Sequence, residues 1–229
     1  MGLLDQILSA VGVNTDSSTS APQAATAAVT IDGHSYQLLG AIDHHSWQAG
    51  QRAGFQADAV PATLDAFKQL REALAGEPHG AVALQILAFE LFRRDQQAGA
   101  EALTLNNTGV NARACVERLR ELTVRQDPYY SRPYLAASFF EGATPDNGYT
   151  PRRPLRLSIR SSVNKGYQAS QLLGGTVLYL DVYSEGYDTP WRSIEVVRPE
   201  GTPYYVVSNC PACYTQCKAI APGATFHGL

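Results

Sequence analysis

The feature that most constrains this chain is the stretch Tyr134–Pro154, YLAASFFEGATPDNGYTPRRP. Three prolines (Pro145, Pro151, Pro154) and two glycines (Gly142, Gly148) fall within its last thirteen residues. Proline fixes φ, removes a backbone donor and drives the residue before it out of the helical region. No helix or central strand survives that density. Pro145-Asp146-Asn147-Gly148 is turn chemistry, because proline presets one turn position and Asn or Gly tolerates positive φ at another. Phe139, Phe140, Tyr149 and Leu155 add large anchors, so the stretch reads as an ordered, packed loop. Upstream of it apolar residues recur at helical spacing; downstream they alternate at strand spacing. It therefore reads as a joint that docks a helical half onto a sheet.

The flanking patterns fill in the two halves. Val29–Leu39 reads as a hairpin around Asp32-Gly33. Leu64, Phe67, Leu70 and Leu74 share a helix face after a Thr63 cap. Gly80–Phe92, GAVALQILAFELF, is apolar nearly all round, interrupted only by Gln85 and Glu90, and belongs at the centre of the core. Ala98–Leu105 and Asn111–Val124 read as further helices, the second with Cys115, Leu119 and Leu122 inward. In the second half, Leu155, Leu157 and Ile159 alternate with Arg156, Ser158 and Arg160. Leu178, Leu180 and Val182 alternate with Tyr179, Asp181 and Tyr183, and Ile194 and Val196 with Trp191, Ser193 and Glu195. Helices followed by strands predict an α+β fold, an N-terminal helical half packed on a C-terminal antiparallel meander sheet. The expected layout is an amphipathic helix and flexible tether over 1–28 and a single domain over 29–229. Within that domain lie a helical half (29–133), the joint (134–154), the sheet half (155–209) and a cysteine-containing tail (210–229).

The run SFFEGATPDNGYTPRRP resembles the core of a bacterial domain family of unknown function, marked by GATPxNxYTPxxP after an aromatic pair. GAVALQILAFELF and YDTPWRSIEVVRPEGTPYYVVSN are similar to the same pattern, so the resemblance spans roughly Ala62–Asn209. It implies a shared fold and no particular chemistry. The tail from Cys210 to Cys217 departs from the pattern.

The net charge of −3 is unevenly spread: −6 over residues 1–112, +5 over 113–165 and −2 over 166–229. The basic middle faces either an acidic or phosphate-rich partner or the acidic N-terminal half of the same chain. The acidic balance favours internal pairing and speaks against nucleic acid. No apolar run is long enough to cross a membrane, and the N-terminus has no basic region or cleavage site. The expectation is a cytoplasmic protein with reduced cysteines.

Three places could hold function. Leu3, Leu4, Ile7, Leu8 and Val11 share a helix face too short to stand alone in water. Followed by the tether, they form a docking pattern for a protein partner. The polar face of this helix lacks the lysines and arginines of a membrane-surface helix. Arg156, Arg160, Tyr179, Tyr183 and Trp191 share the outer sheet face, where interleaved aromatics and arginines bind planar ligands or a covering chain. Cys210, Cys213 and Cys217, with His227 or Cys115 as a fourth ligand, match part of a zinc site. Buried packing of reduced cysteines on one helix face and a Cys210–Cys213 redox pair remain open beside it. No nucleotide, hydrolase or metalloprotease motif is present. The leading expectation is a non-catalytic protein-interaction module without a cofactor. The alternatives are a zinc or thiol-redox protein, or an enzyme with its site under the 145–154 loop.

Overall fold

The structure is a computed structural model that describes residues 28–43, 47–124, 127, 129–163 and 175–229. Seven strands form one antiparallel sheet in chain order. They are β1 (Val29–Ile31), β2 (His34–Gly40), β3 (Arg52–Ala57), β4 (Leu155–Ser161), β5 (Gly175–Tyr183), β6 (Trp191–Pro199) and β7 (Val206–Asn209). Four helices lie between β3 and β4: α1 (Leu64–Leu74), α2 (Pro78–Arg94), α3 (Gln96–Asn106) and α4 (Gly109–Leu119), the last extended by a π-helical turn to Val124.

This corrects the expected layout. The helical half does not come first: three strands precede it, and the sheet begins at Val29 rather than at Leu155. Arg52 pairs with Arg160 and Ala57 with Leu155, so residues 58–154 are an excursion between two neighbouring strands. The β1–β2 hairpin turns at Asp32 (φ 51°) and Gly33 (φ 79°), both positive as a type I′ turn requires. β3 reads Arg-Ala-Gly-Phe-Gln-Ala, without β-branched residues, and Ala and Gly disfavour strands. Its strand conformation is imposed by ladders on both sides, to β2 and to β4.

All four helices pack on one face of the sheet. That face presents Tyr36, Leu38, Phe55, Leu157, Ile159, Leu180, Val182, Ile194 and Val196, all buried. α2 runs across β3 to β7, with α1 and α3 beside it. Fifteen of its seventeen residues are buried, which makes it the centre of the core. Thr63 caps α1, accepting from the Ala66 N–H at 3.1 Å, and Pro78 opens α2, where its missing donor costs nothing.

The two polar interruptions of α2 are both satisfied. Gln85 Oε1 accepts from Asn106 Nδ2 (3.0 Å) and Asn107 Nδ2 (2.8 Å), while Gln85 Nε2 donates to Cys115 Sγ and Cys210 Sγ, each at 3.5 Å. One side chain thereby ties α2 to α3, α4 and the tail. Glu90 accepts a forked pair of bonds from Arg93 (2.9 and 2.6 Å) and one from Arg94 (2.8 Å). Its carboxylate is buried while the arginines reach solvent, so truncating it removes three charge-assisted bonds and strands two cations. Glu90→Ala is expected to destabilise the fold by about 2–3 kcal/mol and lower Tm by roughly 5–10 °C in a thermal melt.

His79, in the first turn of α2, is buried with no partner at either ring nitrogen among the described residues. Burial lowers its pKa from 6.5 to about 4. The unfolded chain therefore takes up a proton near pH 6.5 that the folded chain refuses until about pH 4, and stability falls as pH drops through that window. The loss reaches about 3 kcal/mol at its lower end. His79→Leu is expected to flatten the stability difference between pH 6.5 and 4, measured by urea unfolding.

Candidate functional site

The face of the sheet opposite the helices carries no helix among the described residues, and a groove of about 550 Å³ lies there. Its floor follows from strand register. Leu39 pairs with Gly54, and Gly54 with Ser158. Tyr183 comes one residue after the Ile159–Val182 pair, and Tyr183 pairs with Trp191. The middle of this row has no side chain at Gly54 and a short one at Ser158, which makes the hollow. A Cβ at position 54 would lie 2.7 Å from the Leu157 carbonyl oxygen, so the close strand approach itself demands glycine.

Arginines stand around the hollow. Arg52 and Arg160 face each other across β3 and β4 in the row on one side, with Arg156 in the row on the other. Arg160 is already engaged: its Nε is 3.1 Å from Asp181 Oδ2, and its guanidinium lies 4.1 Å from the Trp191 ring centroid. Tyr183 meets Trp191 edge-on at 5.2 Å. Arg156 donates to Gln56 Oε1 at 2.9 Å, a neutral partner. Among the described residues the ion pairs of the basic middle are Arg118–Glu121 and Arg160–Asp181, neither with the acidic N-terminal half. The expected internal neutralisation is therefore not what these arginines do.

The joint builds one wall. Glu141 N–H donates to Arg156 O and Arg152 N–H to Glu141 O, both at 2.9 Å, which lays the joint along β4. Glu141 Oε1 then accepts from Ser158 Oγ at 2.8 Å, and Gly142 (φ 80°) leaves room for the Arg152 side chain to lie over it. Asn147 is the internal brace. Its Oδ1 accepts from the Thr144 and Thr150 N–H groups (3.0 and 3.1 Å), and its Nδ2 donates to Gly142 O at 2.7 Å. Tyr149 is buried, stacked on Tyr134 at 4.7 Å.

The tail straps the joint down. Tyr149 Oη donates to Lys218 O (2.9 Å), and Ala221 N–H to Pro145 O (3.1 Å). A Cβ at Gly148 would fall 2.1 Å from Thr225 O, so only glycine admits the strap. The tail is not the helix that would put three cysteines on one face: it makes a single 3₁₀ turn, Pro211–Tyr214. Cys210 Sγ lies 3.8 Å from Cys115 Sγ, whereas Cys217 neighbours Tyr149 and Arg132 instead. Among the described residues no group of three or more His, Cys, Asp or Glu is arranged to hold a metal ion, and His227 is exposed near the chain end.

All four thiols are buried and free. The contact with Cys210, then burial, raises the Cys115 pKa, and burial raises that of Cys213. Burial pushes Cys217 up to about 12. Buried thiols with raised pKa values are poor nucleophiles. An aromatic disulfide reagent is expected to titrate fewer than about one thiol per native chain and all four after unfolding in guanidinium.

Of the residues the sequence pointed to, Arg156, Tyr183 and Trp191 line the groove, and Arg160 stacks against its rim. Tyr179 lies farther along β5, where a hydrogen bond with Glu195, then burial, raises its pKa to about 12. Arg52, Gly54, Glu141, Arg152 and Ser158 were not singled out; they reach the site through the β3–β4 pairing and the joint. Leu3, Leu4, Ile7, Leu8 and Val11 lie outside the described residues. No helix among the described residues is long and apolar enough to cross a membrane.

Sheet, joint and groove define an α+β protein built on one antiparallel sheet, with one face covered by an inserted helical layer and the other without a helix among the described residues. The chain belongs to a domain family of unknown function, DUF6935, whose sequence model matches residues 59–221. That match starts just after β3 and continues through Cys210, Cys213 and Cys217, past the stretch where the sequence resemblance was expected to stop. No curated protein and no solved structure matches the chain.

Proposed function

We propose that this chain is a non-catalytic binding module that receives a protein partner on the open face of its sheet. The observation that carries the reading is the groove itself. It is floored by Gly54 and Ser158, flanked by Arg52, Arg152 and Arg156, which have no carboxylate partner among the described residues, and closed at one end by Trp191 and Tyr183. Its internal polar contacts, Ser158 with Glu141 and Arg160 with Asp181, brace the walls. Within this reading residues 1–28 add a second attachment point, an amphipathic segment on a tether.

A second reading, catalysis in the same groove beneath the joint, is favoured by one contact. Ser158 Oγ donates to the Glu141 carboxylate at 2.8 Å, which places a hydroxyl next to a base. Burial of all four thiols counts against a redox role.

The test is partner capture followed by thermal melts. The chain lacking residues 1–28 and the full chain carrying Arg156→Ala with Trp191→Ala are both expected to melt within about 5 °C of the parent, since neither change opens a core cavity. Both are expected to lose the partner. Recovery undiminished in both would remove this reading.

A further inference from the structure

We infer that the groove takes a short, extended acidic segment of a partner protein, with carboxylates held by Arg52, Arg152 and Arg156 and an aromatic side chain laid against Trp191. This rests on the binding-module reading and deepens it.

Size argues for a peptide. The floor row runs from Leu39 on β2 to Trp191 on β6, across five neighbouring strands. Four spacings of about 4.8 Å make roughly 19 Å. An extended chain rises about 3.3 Å per residue, so the row matches five or six residues. The hollow over Gly54 and Ser158 gives such a chain room to lie close to the sheet.

Charge argues for acidic residues. Arg160 is spent on Asp181 and Trp191. Arg52, Arg152 and Arg156 remain, drawn from two strands and the joint, each without a carboxylate partner among the described residues. Two acids also line the groove, Glu141, which accepts the Ser158 hydroxyl, and Glu185, so three guanidiniums outnumber two carboxylates. Like charges crowded into one groove gain when anions come among them, and the guanidinium fork matches a carboxylate better than an ammonium does. At the far end Trp191 is fixed by Tyr183 edge-on and by Arg160 against its ring. A rigid, oriented indole at the end of a groove is a ready contact for a second ring.

The experiment uses the full chain carrying Trp47→Phe, which leaves Trp191 as its single tryptophan. Its fluorescence is titrated with a capped hexapeptide of five glutamates and one phenylalanine. Three comparators are a lysine-for-glutamate version, an alanine-for-phenylalanine version and free benzoate. Saturable binding of the acidic peptide is expected, weakened by about tenfold or more in Arg52→Glu and in Arg156→Glu. Rising salt is expected to weaken it too, and the alanine version to bind several-fold less tightly. Arg113→Glu, on α4 beneath the opposite face, is expected to change nothing. If a charge reversal abolishes cooperative unfolding, Arg52→Gln and Arg156→Gln replace it with the same expectation.

Binding of the lysine peptide instead would overturn the acidic class while leaving the groove a binding site. Benzoate binding as tightly as the peptide would overturn the peptide. Silence from the whole series, with partner capture surviving Arg156→Ala and Trp191→Ala, would overturn both this inference and the reading beneath it.

Discussion

A helix that is apolar nearly all round has to be covered nearly all round, and α2 sets that demand. The sheet supplies one side of the cover, with α1, α3 and α4 arrayed around the rest. Meeting the demand commits every helix to a single face of the sheet. Among the described residues the other face is left to side chains, and the groove lies there. Gln85 and Glu90, the two polar breaks in the helix, fix its rotation and its end. One binds three neighbouring segments through amide and thiol contacts, and the other anchors the point where the helix emerges into water.

The joint and the tail work as one piece. The joint takes its shape from Asn147, Gly148 and Tyr149, but its position comes from the strap laid over it. Glu141 and Arg152 therefore stand over the sheet by virtue of contacts made on the far side of the loop. The cysteines belong to this arrangement as small buried groups that pack like short apolar side chains.

Much of this was legible in the chain. The period of two in Leu155–Ile159, Thr176–Tyr183 and Trp191–Arg198 puts Arg156, Arg160, Tyr183 and Trp191 on outward-facing positions, because alternation is a local property. The run GAVALQILAFELF announced a core helix for the same reason. What was not legible is what depends on distant pairing. β3 carries Ala, Gly and Gln where a strand would show Val or Ile, so nothing local marks it. Without β3, neither Arg52 nor the hollow at Gly54 can be placed, and the sheet looks as though it begins after the helices. The same holds for sulfur. Cys210 and Cys213 advertise themselves by spacing, yet Cys210 also meets the sulfur of Cys115, on a helix far upstream, at 3.8 Å.

The excursion between β3 and β4 has a consequence for how the molecule comes into being. A ribosome releases β1 to β3 first, and the third of these strands has no neighbour on its outer side until Leu155 appears. At about 5–20 residues per second, that edge waits on the order of 5–20 s while the helical layer is made. Closing the ladder across so long a loop is slow, and an open edge invites foreign strands. The sparse, weakly β-forming composition of Arg52–Ala57 keeps the waiting edge unattractive until its proper neighbour arrives.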